Sequence, residues 1–396
     1  YKMKKKIVMW IVVFFVLSFL LGFNLEVSQA RKNEEEFYRE LERFVNVVNI
    51  VKKEYVNPVD DKKIIHGALK GMLSSLDPYS AFLEPEASKE LQIETSGEFE
   101  GVGMEITLKD GIITVVSPIQ DAPAWTAGIK PGDRIIEIDG QSTKGMDTWE
   151  AVQKLRGKKG TSVTVSILRE HTPHIIKISL VRDIIRVKSV KSAILPGNIG
   201  YVRITNFQEK TAADLETVLK ELNNQNVDAL ILDLRNNPGG LLSSAIEVSQ
   251  MFLPEKKPIV SIQGRKQEER KTYYAQKAPL WNKPVVLLVN NGSASAAEIV
   301  TGALRDNLDR CEIVGIKTFG KGSVQNLIKI DEDGTSIKLT VAYYYTPSGV
   351  KIDGKGIEPD IKIESSEEIE IGSFEKDVQL KKAMEEVSNL LQVAAK

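Results

Sequence analysis

The sequence predicts an α/β protein in several parts. These are a largely parallel-sheet core, a separate β-rich module inserted before it, and helical segments at the N- and C-terminal ends. Three observations carry this. Short apolar runs of strand length recur with helices after them: residues 227–233 precede a helix over 241–252, and residues 284–289 precede one over 294–304. Residues 97–183 instead read as short strands closed by turn signals. Apolar residues at three- and four-residue intervals mark amphipathic helices near both ends.

The 396 residues leave room for two or three domains, and 53 basic against 54 acidic residues give a net charge of −1. That balance gives no sign of a nucleic-acid partner. A single cysteine, Cys311, excludes an internal disulfide and a cysteine metal cluster, so neither metal nor cofactor is expected.

The elements follow in order. Residues 1–30 hold Lys2, Lys4, Lys5 and Lys6 before the uncharged run Ile7 to Phe23. This reads as a secretory signal peptide or a short membrane anchor, with the body exported. Residues 34–96 form a helical region. Phe37, Leu41, Phe44, Val48, Val51 and Tyr55 line one helix, a second runs over 61–76, and Asp77-Pro78-Tyr79-Ser80 turns the chain.

The module over 97–183 opens with Gly101-Val102-Gly103-Met104. Lys109-Asp110-Gly111 is a hairpin signal. A short helix over 122–127, a strand over 134–138, a helix over 147–155 and paired strands over 162–168 and 175–181 follow. The core over 184–365 alternates strands and helices and contains the β-rich run 336–345. The C-terminal segment over 366–396 closes with a helix carrying Leu380, Met384, Val387 and Leu391 on one face.

Chemistry concentrates in three segments of the core. Asn291-Gly292-Ser293-Ala294-Ser295-Ala296-Ala297-Glu298 places small hydroxyl residues at the start of a helix, among backbone N–H groups with no partner inside that helix. Ser293 or Ser295 there is either a cap or a nucleophile. Thr318-Phe319-Gly320-Lys321-Gly322-Ser323-Val324-Gln325 sets a lysine between glycines. It falls short of a phosphate-binding loop, which needs Ser or Thr where Gly322 stands and must open a helix. Leu234-Arg235-Asn236-Asn237-Pro238-Gly239-Gly240 supplies open backbone N–H groups before a helix. A neutral lysine can replace histidine as the base for a serine. The chain has only three histidines, His66, His171 and His174, none near these segments.

The order of these motifs (DLRNNPGG, then GSASAAE, then FGKGSVQ) resembles the carboxy-terminal processing peptidases, tail-specific proteases of the serine–lysine type. The element order of 97–183 resembles a PDZ domain, with Gly101, Val102, Gly103 and Met104 in the position of its carboxylate-binding loop. The resemblance implies that Ser295 is the nucleophile, Lys321 the general base and Gln325 the residue orienting the lysine. Ala296 and one of Gly239 or Gly240 would form the oxyanion hole. It also implies C-terminal tails of exported proteins as partners and a possible homodimer; the N-terminal run is what predicts a cell-envelope location with the body on the extracytoplasmic side. Two departures stand out: Ala297 occupies a position where the family commonly has serine, and the stretch from nucleophile to lysine is one residue longer. Arg156, just after the module's second helix, is either a solvated helix end or a coupling residue paired with the protease core. A catalytically silent adaptor on the same scaffold is the rival function.

Overall fold

The computed structural model describes residues 34–364 and 376–394. The apolar run 7–23, and with it the signal or anchor expectation, lies outside the described residues. Among the described residues no helix is long and apolar enough to cross a membrane.

The chain divides into two compact units, Tyr1–Pro78 and Tyr79–Lys396. In the first, residues 34–54 form a helix and Asp61–Ser74 a second. Asp60 caps the second, its carboxylate accepting from the N–H of Lys62 at 2.8 Å.

The second unit contains the β-rich module. Met104–Lys109 and Ile112–Pro118 pair antiparallel through a turn in which Asp110 and Gly111 have φ of 51° and 73°. Positive φ at both central residues is what a tight hairpin needs, and Asp-Gly tolerates it. Strands Arg134–Ile138, Ser162–Leu168 and Ile176–Val181 extend that sheet over a core of Ile113, Ile135, Val165 and Leu180. Thr148–Leu155 is the module's longer helix, started by a reciprocal pair in which Asp147 accepts from Glu150 N–H and Glu150 from Asp147 N–H.

The core holds two sheets, and here the expectation of a largely parallel core is corrected to a mixed one. The first sheet runs Val190–Leu195, Ile199–Ile204, Ala229–Asp233, Val285–Val289, Cys311–Gly315, Ile361–Lys362. Its first pairing is antiparallel and the rest are parallel. The second sheet, all antiparallel, centres on Ser336–Tyr345, which pairs with Ala81–Leu83, Ser323–Lys329 and Pro258–Gln263; Lys271–Tyr274 completes it. The physical reason is exposure. Parallel strands covered on both faces read as unbroken apolar runs, whereas half-wet antiparallel strands such as Lys271–Tyr274 carry polar residues that blur the signal.

Strand alternation splits the first sheet's faces. Leu230, Leu232, Val285 and Leu287 pack with helices Thr211–Asn224, Leu242–Gln250 and Ala296–Asn307. Ala229, Ile231, Val286 and Leu288 pack with Leu380, Ala383 and Val387 of the closing helix Val378–Ala394.

A buried ionic cluster fastens that closing helix beside the strand end at 233. Arg235, 1% exposed, donates to Asp233 and to Asp377 at 2.7 Å each and to Gln379 at 3.0 Å. Tyr201 donates to Asp233 at 2.7 Å. Burial alone would pull the Arg235 pKa down, but the two carboxylates outweigh it and the guanidinium stays charged. Arg235→Ala would leave two buried carboxylates without their cation. The expected loss is about 3–5 kcal/mol of stability, read by urea denaturation. A loss below about 1 kcal/mol would mean that the cluster holds nothing together.

Candidate active site

The segment 291–298 sits where strand Val285–Val289 hands over to helix Ala296–Asn307, and it is stitched to the neighbouring strand end. Asn290 Oδ1 accepts from the N–H of Asn236 and Gly292, and Asn290 Nδ2 donates to Asn236 Oδ1. Asn237 Oδ1 accepts from Gly239 N–H, Asn237 Nδ2 donates to Ile204 O, and Asn237 O accepts from Ala294 N–H.

These bonds separate the two serines that the sequence left open. Ser293, fully buried, donates its hydroxyl to Leu234 O at 2.8 Å and accepts from Asn290 N–H at 2.9 Å. It is a structural pin between the two strand ends. Ser295 precedes the helix with φ 54° and ψ −111°, a backbone conformation suited to glycine. Holding a serine there costs roughly 1–3 kcal/mol, a kind of strain that clusters at functional sites. Ser295→Gly is therefore expected to raise stability by about 1 kcal/mol after its unfolded-state entropy is discounted. Chemical denaturation checks this, and a destabilised Ser295→Gly would remove the strain argument.

Glu298 joins Ser295 to the lysine loop, and sequence reasoning missed it. Its Oε2 accepts from the backbone N–H of both Ser295 at 2.8 Å and Lys321 at 2.9 Å. Its Oε1 accepts from Gly320 N–H at 2.7 Å and Thr318 Oγ1 at 2.5 Å. One carboxylate oxygen thus brings the backbones of Ser295 and Lys321 side by side. Burial pushes the Glu298 pKa up, while the hydrogen-bond donors oppose this by favouring the anion. The available signal was an acid three residues after a serine that opens a helix.

Lys321 is partly buried, and burial is the largest cause that lowers its pKa. Lys338 pushes in the same direction and Glu298 against it. Gln325 follows an irregularity between Val324 and Gln325 in the pairing with strand Ser336–Tyr345. The extra residue of that irregularity is Val341, on the partner strand. Gln325 Nε2 donates to Thr340 Oγ1 at 2.7 Å and Ser323 Oγ at 3.2 Å, and its buried Oε1 has no partner among the described residues. No hydrogen bond joins Lys321 to Ser295 or Gln325 among the described residues. Catalytic hydrogen bonds are often long before substrate arrives.

The diglycine turn packs against Ser295. A Cβ on Gly239 would fall 2.8 Å from Ser295 Cβ and 3.0 Å from Ala296 N. The Gly239 N–H is held by Asn237, whereas the N–H groups of Gly240 and Ala296 donate to no acceptor among the described residues.

In the β-rich module, Gly103 has φ 71°, and a Cβ there would lie 2.3 Å from Ala122 Cβ. The carbonyls of Val102 and Gly103 accept from Ala124 and Ile119, leaving the Val102 and Gly103 N–H groups outside the loop's own bonds. A cavity of about 90 Å³ beside them is lined by Phe99, Val102, Gly103, Met104, Ile106, Val152, Leu155 and Arg156. Arg156 is not a solvated helix end. It pairs with Glu90 and stacks 5.2 Å from the Phe99 ring centroid. Its partner therefore lies on helix Pro85–Ser96, before the module, and not on the core over 184–365 as the coupling expectation had it.

Comparison with known proteins bears on the same segments. Residues 198–363 match peptidase family S41, residues 114–169 match the PDZ domain, and residues 19–87 match the activating protease CtpB N-terminal domain. The carboxy-terminal-processing protease of Bartonella bacilliformis is 45% identical over 361 residues, covering 89% of this chain and 82% of that protein. The carboxy-terminal processing protease CtpA of Bacillus subtilis is 43% identical over 79% of this chain and 67% of that protein. The solved photosystem II D1 C-terminal processing protease is 33% identical, covering 81% of this chain and 86% of that one, with a TM-score of 0.47. The chain belongs to the S41 serine peptidases and, among them, to the carboxy-terminal processing proteases that carry a PDZ domain.

Proposed function

We propose that this protease is an exported endopeptidase that captures the C-terminal tail of a substrate protein in its PDZ domain and cuts with a Ser295–Lys321 dyad. The observation that carries the dyad is the Glu298 carboxylate, which accepts from the backbone N–H of both residues. Neutral Lys321 takes the Ser295 hydroxyl proton as Oγ attacks the scissile carbonyl carbon. The C–N bond then breaks, the proton passes to the leaving amine, and an ester to Ser295 remains. Water attacks that ester with Lys321 again as base, releasing a carboxylic acid and restoring the serine. Gln325 Oε1, with no competing donor, is the acceptor that orients the lysine. Ala296 N–H, with Gly240 N–H as the available donor of the glycine pair, receives the oxyanion. A silent adaptor would have no use for a strained serine.

Tail capture rests on the open N–H groups of Val102 and Gly103 beside an apolar cavity. A C-terminal carboxylate would accept from those groups while the last side chain fills the cavity. The lysine-led apolar run at 7–23 supports export, with the catalytic body on the extracytoplasmic side of the envelope.

Paired substrates test this reading: one protein with a free C-terminal carboxylate and the same protein with a C-terminal amide. The free form should be cut faster, and both should survive Ser295→Ala. Equal rates for the two forms would remove the tail-capture proposal.

Arg156 is the proposed link between the two activities, acting through Glu90 on helix Pro85–Ser96. Arg156→Ala is expected to lower kcat on tailed proteins by about tenfold with little change in KM. A parent-like kcat would reduce Arg156 to a local packing contact.

A further inference from the structure

The turn Asp77-Pro78-Tyr79-Ser80 precedes the PDZ domain in sequence, yet its end lies at the lysine. Among the described residues no side-chain acceptor bonds Lys321 Nζ; the group sits 5.0 Å from the centroid of the Tyr79 ring. That is within the range at which an aromatic face holds an ammonium group.

Tyr79 is held in place by its neighbours. Ser80, buried, accepts from Thr340 N–H at 3.1 Å. Ala81, Phe82 and Leu83 pair antiparallel with Lys338, Ile337 and Ser336. Thr340 also accepts from Gln325 Nε2 at 2.7 Å. One strand therefore fixes the Tyr79 segment on one edge and Gln325 on the other.

We propose that Tyr79 is a positioning residue for the general base. Its ring covers Lys321 Nζ, excludes water from it and confines it beside the nucleophile. The inference rests on the dyad reading above. Two opposing effects act on the lysine. Contact with the ring face favours the ammonium form, while loss of water favours the neutral amine. The charged groups facing Lys321 are Lys338 from strand Ser336–Tyr345 and Glu298 from the nucleophile helix, and they oppose one another. Burial is the largest influence on Lys321, so water exclusion is the effect that removing the ring should reverse.

The test compares Tyr79→Phe, Tyr79→Leu and Tyr79→Ala in the full chain, measuring kcat and KM on one peptide from pH 6 to 10. Tyr79→Phe keeps the ring and should stay within about twofold of the parent. Tyr79→Leu and Tyr79→Ala should lose about tenfold in kcat near pH 8, with KM little changed. Their pH midpoint should move upward, so that part of the loss is recovered at higher pH. Tyr79→Leu keeps apolar bulk and guards against an unfolded Tyr79→Ala. A folded Tyr79→Leu with the parent midpoint would overturn the proposal, as would Tyr79→Phe behaving like Tyr79→Leu. Hydrolysis by Lys321→Ala would instead mark failure of the dyad reading itself.

Discussion

Ser295→Ala and Lys321→Ala are each expected to stop peptide-bond hydrolysis, with losses of at least about 10⁴-fold in kcat and no change in fold. The two losses should be nearly equal, and the double variant should be no worse, because a nucleophile and its base act as one unit. Ser293→Ala should behave in the opposite way. Its hydroxyl holds Leu234 O and Asn290 N–H, so its removal should cost about 1–3 kcal/mol of stability while hydrolysis persists. Circular dichroism, denaturation and turnover of one peptide separate these cases. Hydrolysis retained in Ser295→Ala and lost in Ser293→Ala would reverse the assignment.

Glu298→Gln is expected to have a smaller effect on rate and a larger one on stability. The carboxylate accepts from Ser295, Lys321, Gly320 and Thr318. Glutamine offers one acceptor oxygen and one N–H₂ group, so one pair of donors would face another donor. Leaving two buried N–H groups unmet costs roughly 2–6 kcal/mol. With the amide nitrogen in the Oε2 position, the Ser295 and Lys321 backbones would lose their shared anchor. A kcat loss of at least about 100-fold follows if a displacement near 1 Å carries its usual penalty. Wild-type turnover by folded Glu298→Gln would show that the anchor does not set the dyad.

How much of this was legible depended on which faces the residues serve. Buried strands such as Ala229–Asp233 and Val285–Val289 are apolar but for the terminal Asp233, so their runs stood out. The edge strand Ala81–Leu83 is three residues long and gains its place only by pairing with Lys338, Ile337 and Ser336. No local pattern announces such a long-range pairing. The same holds for the site. Ser295 and Lys321 were visible through residue type and glycine context. Ser293 was separated from Ser295 only by hydrogen bonds to Leu234 and Asn290. Glu298 looked like a helix-opening acid, and its reach to Gly320 and Lys321 is a tertiary fact. Arg156 was noticed for its charge, but its partner Glu90 is 66 residues away in sequence.

The most direct test of the central claim is to trap the ester that the mechanism requires. The enzyme is mixed with an activated peptide ester, quenched in acid within the first turnover, digested and mapped by mass spectrometry. The account predicts one acyl group on Ser295 and none when Lys321→Ala is treated in the same way. An acyl group on Ser293, or one formed on Ser295 at the parent rate without Lys321, would contradict it.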